Sequence, residues 1–201
     1  MAPEPQPQRR SFLAFLIFGL GAIFNAILGV PIVCYILDPR HRKSPKSAMK
    51  LVEGVKLDDL QLNAPVQGVI RDTRVDGWTL YPSDVIGRVW VVLKQPVPWA
   101  AAADVAAFNE KKQADKDAFL LVFTTICPHL GCSVNLGGPA FLCPCHSATF
   151  LFDGSQAVPA TNPAKRGMDT LEWELDAADP KNIKVKYERF EALTATKTPT
   201  G

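Results

Sequence analysis

Two short boxes of cysteine and histidine decide the fold: Cys127-Pro128-His129-Leu130-Gly131-Cys132 and Cys143-Pro144-Cys145-His146. The boxes contain four of the five cysteines and two of the three histidines of the chain. Such clustering is typical of a site that binds a metal or a cofactor. The other cysteine, Cys34, lies in an apolar stretch, and the other histidine, His41, lies in a basic one.

Each box provides one thiolate and one imidazole at short spacing. The candidate ligands are Cys127, His129, Cys143 and His146. These groups suit a tetrahedral zinc ion, and they equally suit a 2Fe-2S cluster with two cysteines on one iron and two histidines on the other. The zinc interpretation leaves Cys132 and Cys145 without a role, and zinc sites usually pair their cysteines in one knuckle and their histidines in another.

The pair of boxes resembles the Rieske family of iron-sulfur proteins, whose pattern is Cys-Thr-His-Leu-Gly-Cys followed by Cys-Pro-Cys-His-Gly-Ser. The resemblance implies one 2Fe-2S cluster. By position, Cys127 and Cys143 would bind one iron. His129 and His146 would bind the other, and both would titrate with the redox state.

A disulfide between Cys132 and Cys145 goes with this interpretation, because it would join the two ligand loops in an oxidising compartment. The resemblance covers nearly the whole chain apart from residues 96–117. It includes an arginine pair before an apolar segment, Gly77-Trp78 before a Val-Trp-Val-Val strand, and a closing Tyr187-Glu188-Arg189-Phe190. The layout is most similar to the Rieske subunit of bacterial menaquinol:cytochrome c reductases of the cytochrome bc type.

The apolar segment, residues 12–37, predicts a retained membrane anchor. It carries no charge, and as a helix it would be about 39 Å long, against roughly 30 Å of hydrocarbon. A cleaved signal peptide is the alternative, but its apolar region is only about 7 to 15 residues long. The sequence therefore predicts a single-pass protein that contacts membrane lipid.

Two signals disagree on which side of the membrane the head lies. The preceding Arg9-Arg10-Ser11-Phe12-Leu13 resembles a twin-arginine export signal, used by proteins that fold before they cross. The positive-inside rule gives the opposite side, because four basic residues follow the segment: Arg40, Arg42, Lys43 and Lys46. We give the export motif more weight and expect the head outside the bacterial cytoplasmic membrane.

The rest of the chain predicts a mainly β protein, with an antiparallel Rieske-type head and a cluster-binding subdomain. Short β-rich runs alternate with turn signals at residues 66–70, 77–81, 88–94, 119–125, 172–175 and 183–187. Residues 96–117 predict an inserted helix or long loop without an assigned function. The expected domains are a tail at 1–11, the anchor at 12–37, a tether at 38–50 and the head at 51–201, with the cluster-binding part at about 126–165.

The resemblance implies an electron-transfer subunit that accepts an electron and a proton from quinol at His146 and passes the electron to a cytochrome c. The implied partners are a cytochrome b subunit, a cytochrome c subunit and quinol. The enzyme would be the whole complex, which is an oxidoreductase and translocase. The chain alone would be inactive. The alternative is a subunit of another exported oxidoreductase, such as an arsenite-oxidase-like complex. A net charge of +2 with mixed signs argues against nucleic-acid binding.

The chain departs from the family pattern beside the second box. High-potential members have a serine and a tyrosine where this chain has Ala148 and Phe150. Those hydroxyls donate hydrogen bonds to sulfur and favour the reduced form, so their loss predicts a lower potential, which suits menaquinol. Ser147 or Thr149 offers a replacement donor. The family's Gly-Pro-x-Pro cover loop appears as Asn162-Pro163-Ala164-Lys165, with one proline lost.

Overall fold

The N-terminal part of the chain is one long helix, α1, Arg9–His41. The computed structural model describes residues 9–41, 48–76, 79–97 and 102–200 and divides the chain into two units, Met1–Lys46 and Ser47–Gly201. Within α1, Ser11–Leu37 has a mean hydropathy of 2.3 and no buried side chains. A helix that is apolar on every face needs an apolar environment, so α1 has the length and composition of a single-pass membrane anchor.

The amide side chain of Asn25 is satisfied within α1. The Asn25 side chain donates to the carbonyl oxygen of Gly21 at 2.8 Å, one turn back. The helix also continues past Pro31 to His41. An amide that is paired within its own helix is compatible with lipid.

The second unit is built on a six-stranded antiparallel sheet with the strand order β4-β3-β2-β1-β9-β8. Its strands are β1 Met49–Lys56, β2 Val66–Asp76, β3 Thr79–Leu93, β4 Leu120–Thr124, β8 Trp173–Leu175 and β9 Asn182–Lys186. A short 3-10 helix, Leu57–Asp59, follows β1. The mainly β fold expected from the sequence is confirmed.

The two edges of this sheet approach each other and make it nearly a barrel. The chain just before β8 pairs with β4: Leu171 N–H donates to the carbonyl of Val122 at 2.7 Å, and Thr124 N–H donates to that of Asp169 at 3.0 Å. The same segment then continues into β8, which pairs with β9. One segment therefore links both edges of the sheet.

A smaller sheet lies beside the large one and contains β5 Asn135–Leu136, β6 Phe141–Cys143 and β7 Ala148–Phe150. Strand β3 supplies apolar side chains to two cores. Val89, Val91 and Leu93 belong to the core inside the large sheet. Trp90 and Val92 belong to a second core, which covers the small sheet. Because successive side chains point to opposite faces, this continuous apolar run is one wall shared by both cores.

Residues 96–117 contain two short helices, α2 Ala102–Asn109 and α3 Gln113–Asp117. Their polar side chains bind the outer edge of β8. The Asn109 amide donates to the carbonyl of Leu175 and accepts its N–H, both at 2.9 Å. Lys116 Nζ donates to the carbonyl of Trp173 at 2.7 Å, and the burial of this ammonium lowers its pKa.

The insertion, residues 96–117, therefore pairs with backbone groups of β8 as a further strand would. An unpaired sheet edge exposes backbone groups that another chain can bind. Here Asn109 and Lys116 occupy those groups, so the segment to which the sequence assigned no function covers a sheet edge.

The C-terminus forms a hairpin of β10 Arg189–Phe190 and β11 Pro199–Thr200.

Several boundaries differ from the expected ones. Helix α1 extends four residues beyond residue 37 and β1 begins at Met49, so both ends of the expected 38–50 tether lie in regular elements. Gly77 and Trp78, which contributed to the resemblance, lie outside the described residues.

Asn109→Ala tests the edge-capping role. The change leaves the N–H and carbonyl of Leu175 without their partner, so we expect the free energy of unfolding to fall by about 2 kcal/mol. Thermal unfolding in detergent, followed by circular dichroism, measures it. Glu110→Ala is the control, since Glu110 is the exposed neighbour; an equal effect of both variants contradicts the role.

Candidate metal centre

The first ligand loop, residues 127–132, follows β4 and closes on itself. Cys127 N–H donates to the carbonyl of Cys132 at 2.7 Å, and Gly131 N–H donates to that of Cys127 at 2.9 Å. Gly131 has a φ of 80°, a conformation that glycine adopts without a steric penalty. The turn therefore depends on glycine at this position of the first box.

The second ligand loop connects β6 to β7. Cys143 ends β6 and faces Ala148 at the start of β7, so the second box occupies a tight hairpin. Ser147 adopts a φ of 59° there. This left-handed conformation is unfavourable for a residue with a side chain, and the family pattern has glycine at this position.

Two buried thiols lie where the loops meet. Cys127 and Cys143 are 1% and 2% exposed. Burial, with a smaller contribution from the neighbouring Cys143 sulfur, raises the pKa of the Cys127 thiol to about 11, although backbone N–H donors act in the opposite direction. Thiols in this environment become thiolates only beside a strong positive charge, such as a metal ion. The pair is thus suited to bind a metal.

Two imidazoles lie together on the outer side of the site. The ring centroids of His129 and His146 are 4.7 Å apart, and the rings are nearly perpendicular. His129 is half-buried and His146 is exposed. One imidazole is therefore accessible to a second molecule.

The remaining two cysteines of the boxes form a disulfide, Cys132–Cys145, with their Cα atoms 6.6 Å apart. The sulfurs of Cys132, Cys143 and Cys145 lie within 4.8 Å of one another. Two of these three sulfurs are bonded to each other, so they are not a thiolate trio for a metal. The donors left in the two loops are two thiols and two imidazoles, a set that fits a cluster with mixed cysteine and histidine ligation.

Residues 76–172 match the family model described as the Rieske [2Fe-2S] domain. This part of the chain is a Rieske domain. Such a domain indicates one 2Fe-2S cluster, and the donor set described above is chemically suited to it. The resemblance found in the two boxes is confirmed.

The chain is similar over most of its length to two curated proteins, both named menaquinol:cytochrome c reductase iron-sulfur subunit. The protein from Bacillus subtilis (strain 168) is 29% identical over 160 residues, 77% of this chain and 79% of that one. The protein from Geobacillus thermodenitrificans is 25% identical over 172 residues, 83% of this chain and 85% of that one.

Among solved structures, the chain is similar to the quaternary ammonium Rieske monooxygenase CntA in complex with an inhibitor. The identity is 19%, the TM-score is 0.38, and the alignment covers 75% of this chain and 33% of that chain. The chain thus spans about a third of the length of that monooxygenase.

The two departures from the family pattern lie in the core of the Rieske domain. Ala148 and Phe150 are both fully buried on β7. Neither side chain can donate a hydrogen bond. The hydroxyl of Thr149, one of the replacement donors considered above, donates to the carbonyl of Ser147 at 3.2 Å, so a backbone oxygen already uses it.

The loop at residues 162–165 is held to the Rieske domain by amide side chains that the sequence did not indicate. Asn162 Nδ2 donates to the carbonyl of Thr149 at 2.7 Å, and its Oδ1 accepts from Ala164 N–H at 3.0 Å. Gln156 Nε2 donates to the carbonyl of Ala164 at 2.5 Å. These bonds hold the loop, which lacks the second proline of the family pattern.

Ser147→Gly tests the cost of the left-handed serine beside His146. Glycine adopts this conformation freely, so we expect a gain of about 1 kcal/mol in unfolding free energy. Ser133→Gly is the control, because Ser133 is exposed and is not among the residues with positive φ; that variant should lose about 0.5 kcal/mol. Chemical denaturation compares the two. A loss in both variants contradicts this account of Ser147.

Proposed function

We propose that this chain is the electron-transfer subunit of a membrane quinol:cytochrome c oxidoreductase, with menaquinol as the electron donor. The observation that carries the proposal is the exposed imidazole of His146 beside a buried pair of thiols, in a Rieske domain preceded by an apolar helix. The names of both curated relatives point the same way.

The proposed ligand set follows the burial of the four donors. The buried thiolates of Cys127 and Cys143 would hold one iron, and the imidazoles of His129 and His146 would hold the other. The cluster, when bound, would supply one-electron redox chemistry. The protein supplies a water-poor inner side and an accessible outer side.

His146 is proposed to receive the quinol. Its exposed imidazole accepts a hydrogen bond from a quinol hydroxyl and then holds the proton. An imidazole becomes more basic as negative charge accumulates beside it. Uptake of the electron and uptake of the proton therefore favour each other, and His129, which is half-buried, is proposed as a second titrating group.

Ala148 and Phe150 are proposed to set a low reduction potential. A hydrogen bond to a charged group contributes about 1.5 to 3 kcal/mol, equivalent to roughly 65 to 130 mV in a one-electron couple. This shift is an upper bound for each missing donor, since a hydrogen bond to sulfur also stabilises the oxidised form in part. Two missing donors move the potential toward the low end of the range of about −150 to +300 mV for Rieske centres.

Ala148→Ser with Phe150→Tyr tests this explanation. The added hydroxyls should raise the midpoint potential by up to about 100 mV each, because they stabilise the reduced form. Phe119→Tyr is the control, since Phe119 packs against the other core. Potentiometric titration of membranes, monitored by electron paramagnetic resonance, measures the shift. An unchanged midpoint in the double variant contradicts the assignment.

The proposed partners are a cytochrome b subunit in the membrane and a cytochrome c subunit as electron acceptor. The head is proposed to lie outside the cytoplasmic membrane. The Cys132–Cys145 disulfide supports this side, because such bonds persist in oxidising compartments. The Arg9-Arg10 pair supports export after folding.

Electron paramagnetic resonance of the reduced, membrane-bound protein is the primary experiment. A signal with the low average g of histidine-ligated clusters and a low midpoint potential is expected. A colourless, zinc-containing preparation would overturn the cluster and restore the zinc interpretation. Co-purification with a molybdenum enzyme in place of a cytochrome b would instead favour the arsenite-oxidase-like alternative.

A further inference from the structure

The C-terminal hairpin touches the first ligand loop. The hairpin loop, residues 191–198, connects β10 to β11 and is called the C-terminal loop below. Within it, Leu193 N–H donates to the carbonyl of Pro128 at 3.0 Å. Pro128 lies between Cys127 and His129 in the chain. The bond therefore reaches the backbone between two proposed ligands of the cluster.

Leu193 makes this bond in an unusual conformation. Its φ is 61°, and its side chain is 46% exposed. A leucine gains nothing by itself in the left-handed region. The conformation must be held by other contacts of the C-terminal loop.

Arg166 provides those contacts. All five N–H groups of its guanidinium have partners. Nε and Nη2 donate to the two carboxylate oxygens of Asp169, each at 2.8 Å. The other bonds go to the C-terminal loop: Nη1 donates to Thr194 O at 2.7 Å and Oγ1 at 2.8 Å, and Nη2 donates to Glu191 O at 2.8 Å.

The bonded residues of the C-terminal loop stand on either side of Leu193. Glu191 and Thr194 are both fixed by one planar group, so the backbone between them has little freedom. Lys197 adds a further attachment, since its Nζ donates to the carbonyl of Thr170 at 2.5 Å. Arg166 therefore fixes the backbone on both sides of the Leu193 N–H.

Asp169, the acidic partner of Arg166, is fixed to β4, the strand that leads into the first ligand loop. Asp169 is 4% exposed, and its backbone carbonyl accepts from Thr124 N–H on β4 at 3.0 Å. The hydroxyl oxygen of Thr124 in turn accepts from Ile126 N–H at 3.2 Å, one residue before Cys127. The ion pair thus joins the base of the loop to the C-terminal loop, which holds Pro128.

We propose that Arg166 is a positioning residue for the iron-sulfur centre: through the C-terminal loop it holds the Pro128 carbonyl and thereby the imidazole of His129. The inference rests on the proposed function, because it requires that Cys127 and His129 bind the cluster. It explains why an arginine outside both boxes has a side chain only 9% exposed and every donor occupied.

The test disrupts the bond from Leu193 N–H to the Pro128 carbonyl in two ways, both in the full-length, membrane-bound protein. Arg166→Lys keeps a positive charge beside Asp169 but cannot make five bonds in one plane. Leu193→Pro removes the N–H that donates to the Pro128 carbonyl, and because proline fixes φ at roughly −65°, it also removes the left-handed conformation that presents this N–H. Leu193→Gly is its matched control, since glycine keeps the N–H and adopts a φ near 61° without strain.

Two readouts separate positioning from folding. Hydrogen exchange of the C-terminal loop should become about tenfold faster in Arg166→Lys, the order expected for loss of a charge-assisted bond. The electron paramagnetic resonance lines of the reduced centre should broaden or shift in Arg166→Lys and Leu193→Pro. Leu193→Gly should give the wild-type spectrum. Arg74→Gln, at an exposed ion pair on β2, should also leave the spectrum unchanged.

Wild-type spectra in both Arg166→Lys and Leu193→Pro overturn the proposal while leaving the proposed function intact. A spectrum in Leu193→Gly as altered as that of Leu193→Pro also overturns it, because the backbone N–H is then not the group that matters. Absence of a Rieske signal in the wild-type protein is a different failure: it removes the proposed function, and the positioning role falls with it.

Discussion

The burial of two adjacent thiols is the constraint on which the rest of the head depends. Cys127 and Cys143 come from different loops and lie together away from water. Burial opposes the ionisation of the Cys127 thiol, so the site favours a bound cation over a free thiolate. Such a site exists only if both loops are held together from outside the pair. The Cys132–Cys145 disulfide provides one such restraint, and the packing beneath the loops provides another.

That packing depends on a wall that is apolar on both faces. Strands β3 and β4 alternate their side chains between the core of the large sheet and the core under the small sheet. Phe123 and Phe141 meet in the second core with ring centroids 6.2 Å apart, which joins β4 to the strand that ends at Cys143. The large sheet thus supports the small one, and through it the second ligand loop. The insertion contributes from the opposite edge by covering β8.

The sequence predicted the parts of this structure that have a strong local signal. The two boxes identified the Rieske domain because cysteine and histidine at short spacing are rare outside such sites. Residues 88–94 were recognisable as a strand from their apolar run. Strands β5 to β7 were missed, since two or three residues rarely show periodicity; β8 is as short, and the sequence indicated it as the β-rich run 172–175. Strand β1 was missed because its basic start resembled the tether. The roles of Asn109 and Arg166 depend on partners that are distant in sequence, so no local pattern could indicate them.

The two ligand loops differ in how they obtain their rigidity. The second box lies in a hairpin between paired strands, so backbone bonds within the small sheet fix it. The first box connects β4 of the large sheet to β5 of the small one. Its base is closed by the bond from Val134 N–H to the carbonyl of Thr125 at 2.7 Å, and the loop beyond that bond depends on further contacts. Pro128 restricts the backbone there, and its carbonyl remains available to an outside donor. The bond from Leu193 uses that carbonyl. The proposed electron-transfer site would gain from this arrangement, because ligands that are held before reduction need little rearrangement when the charge changes.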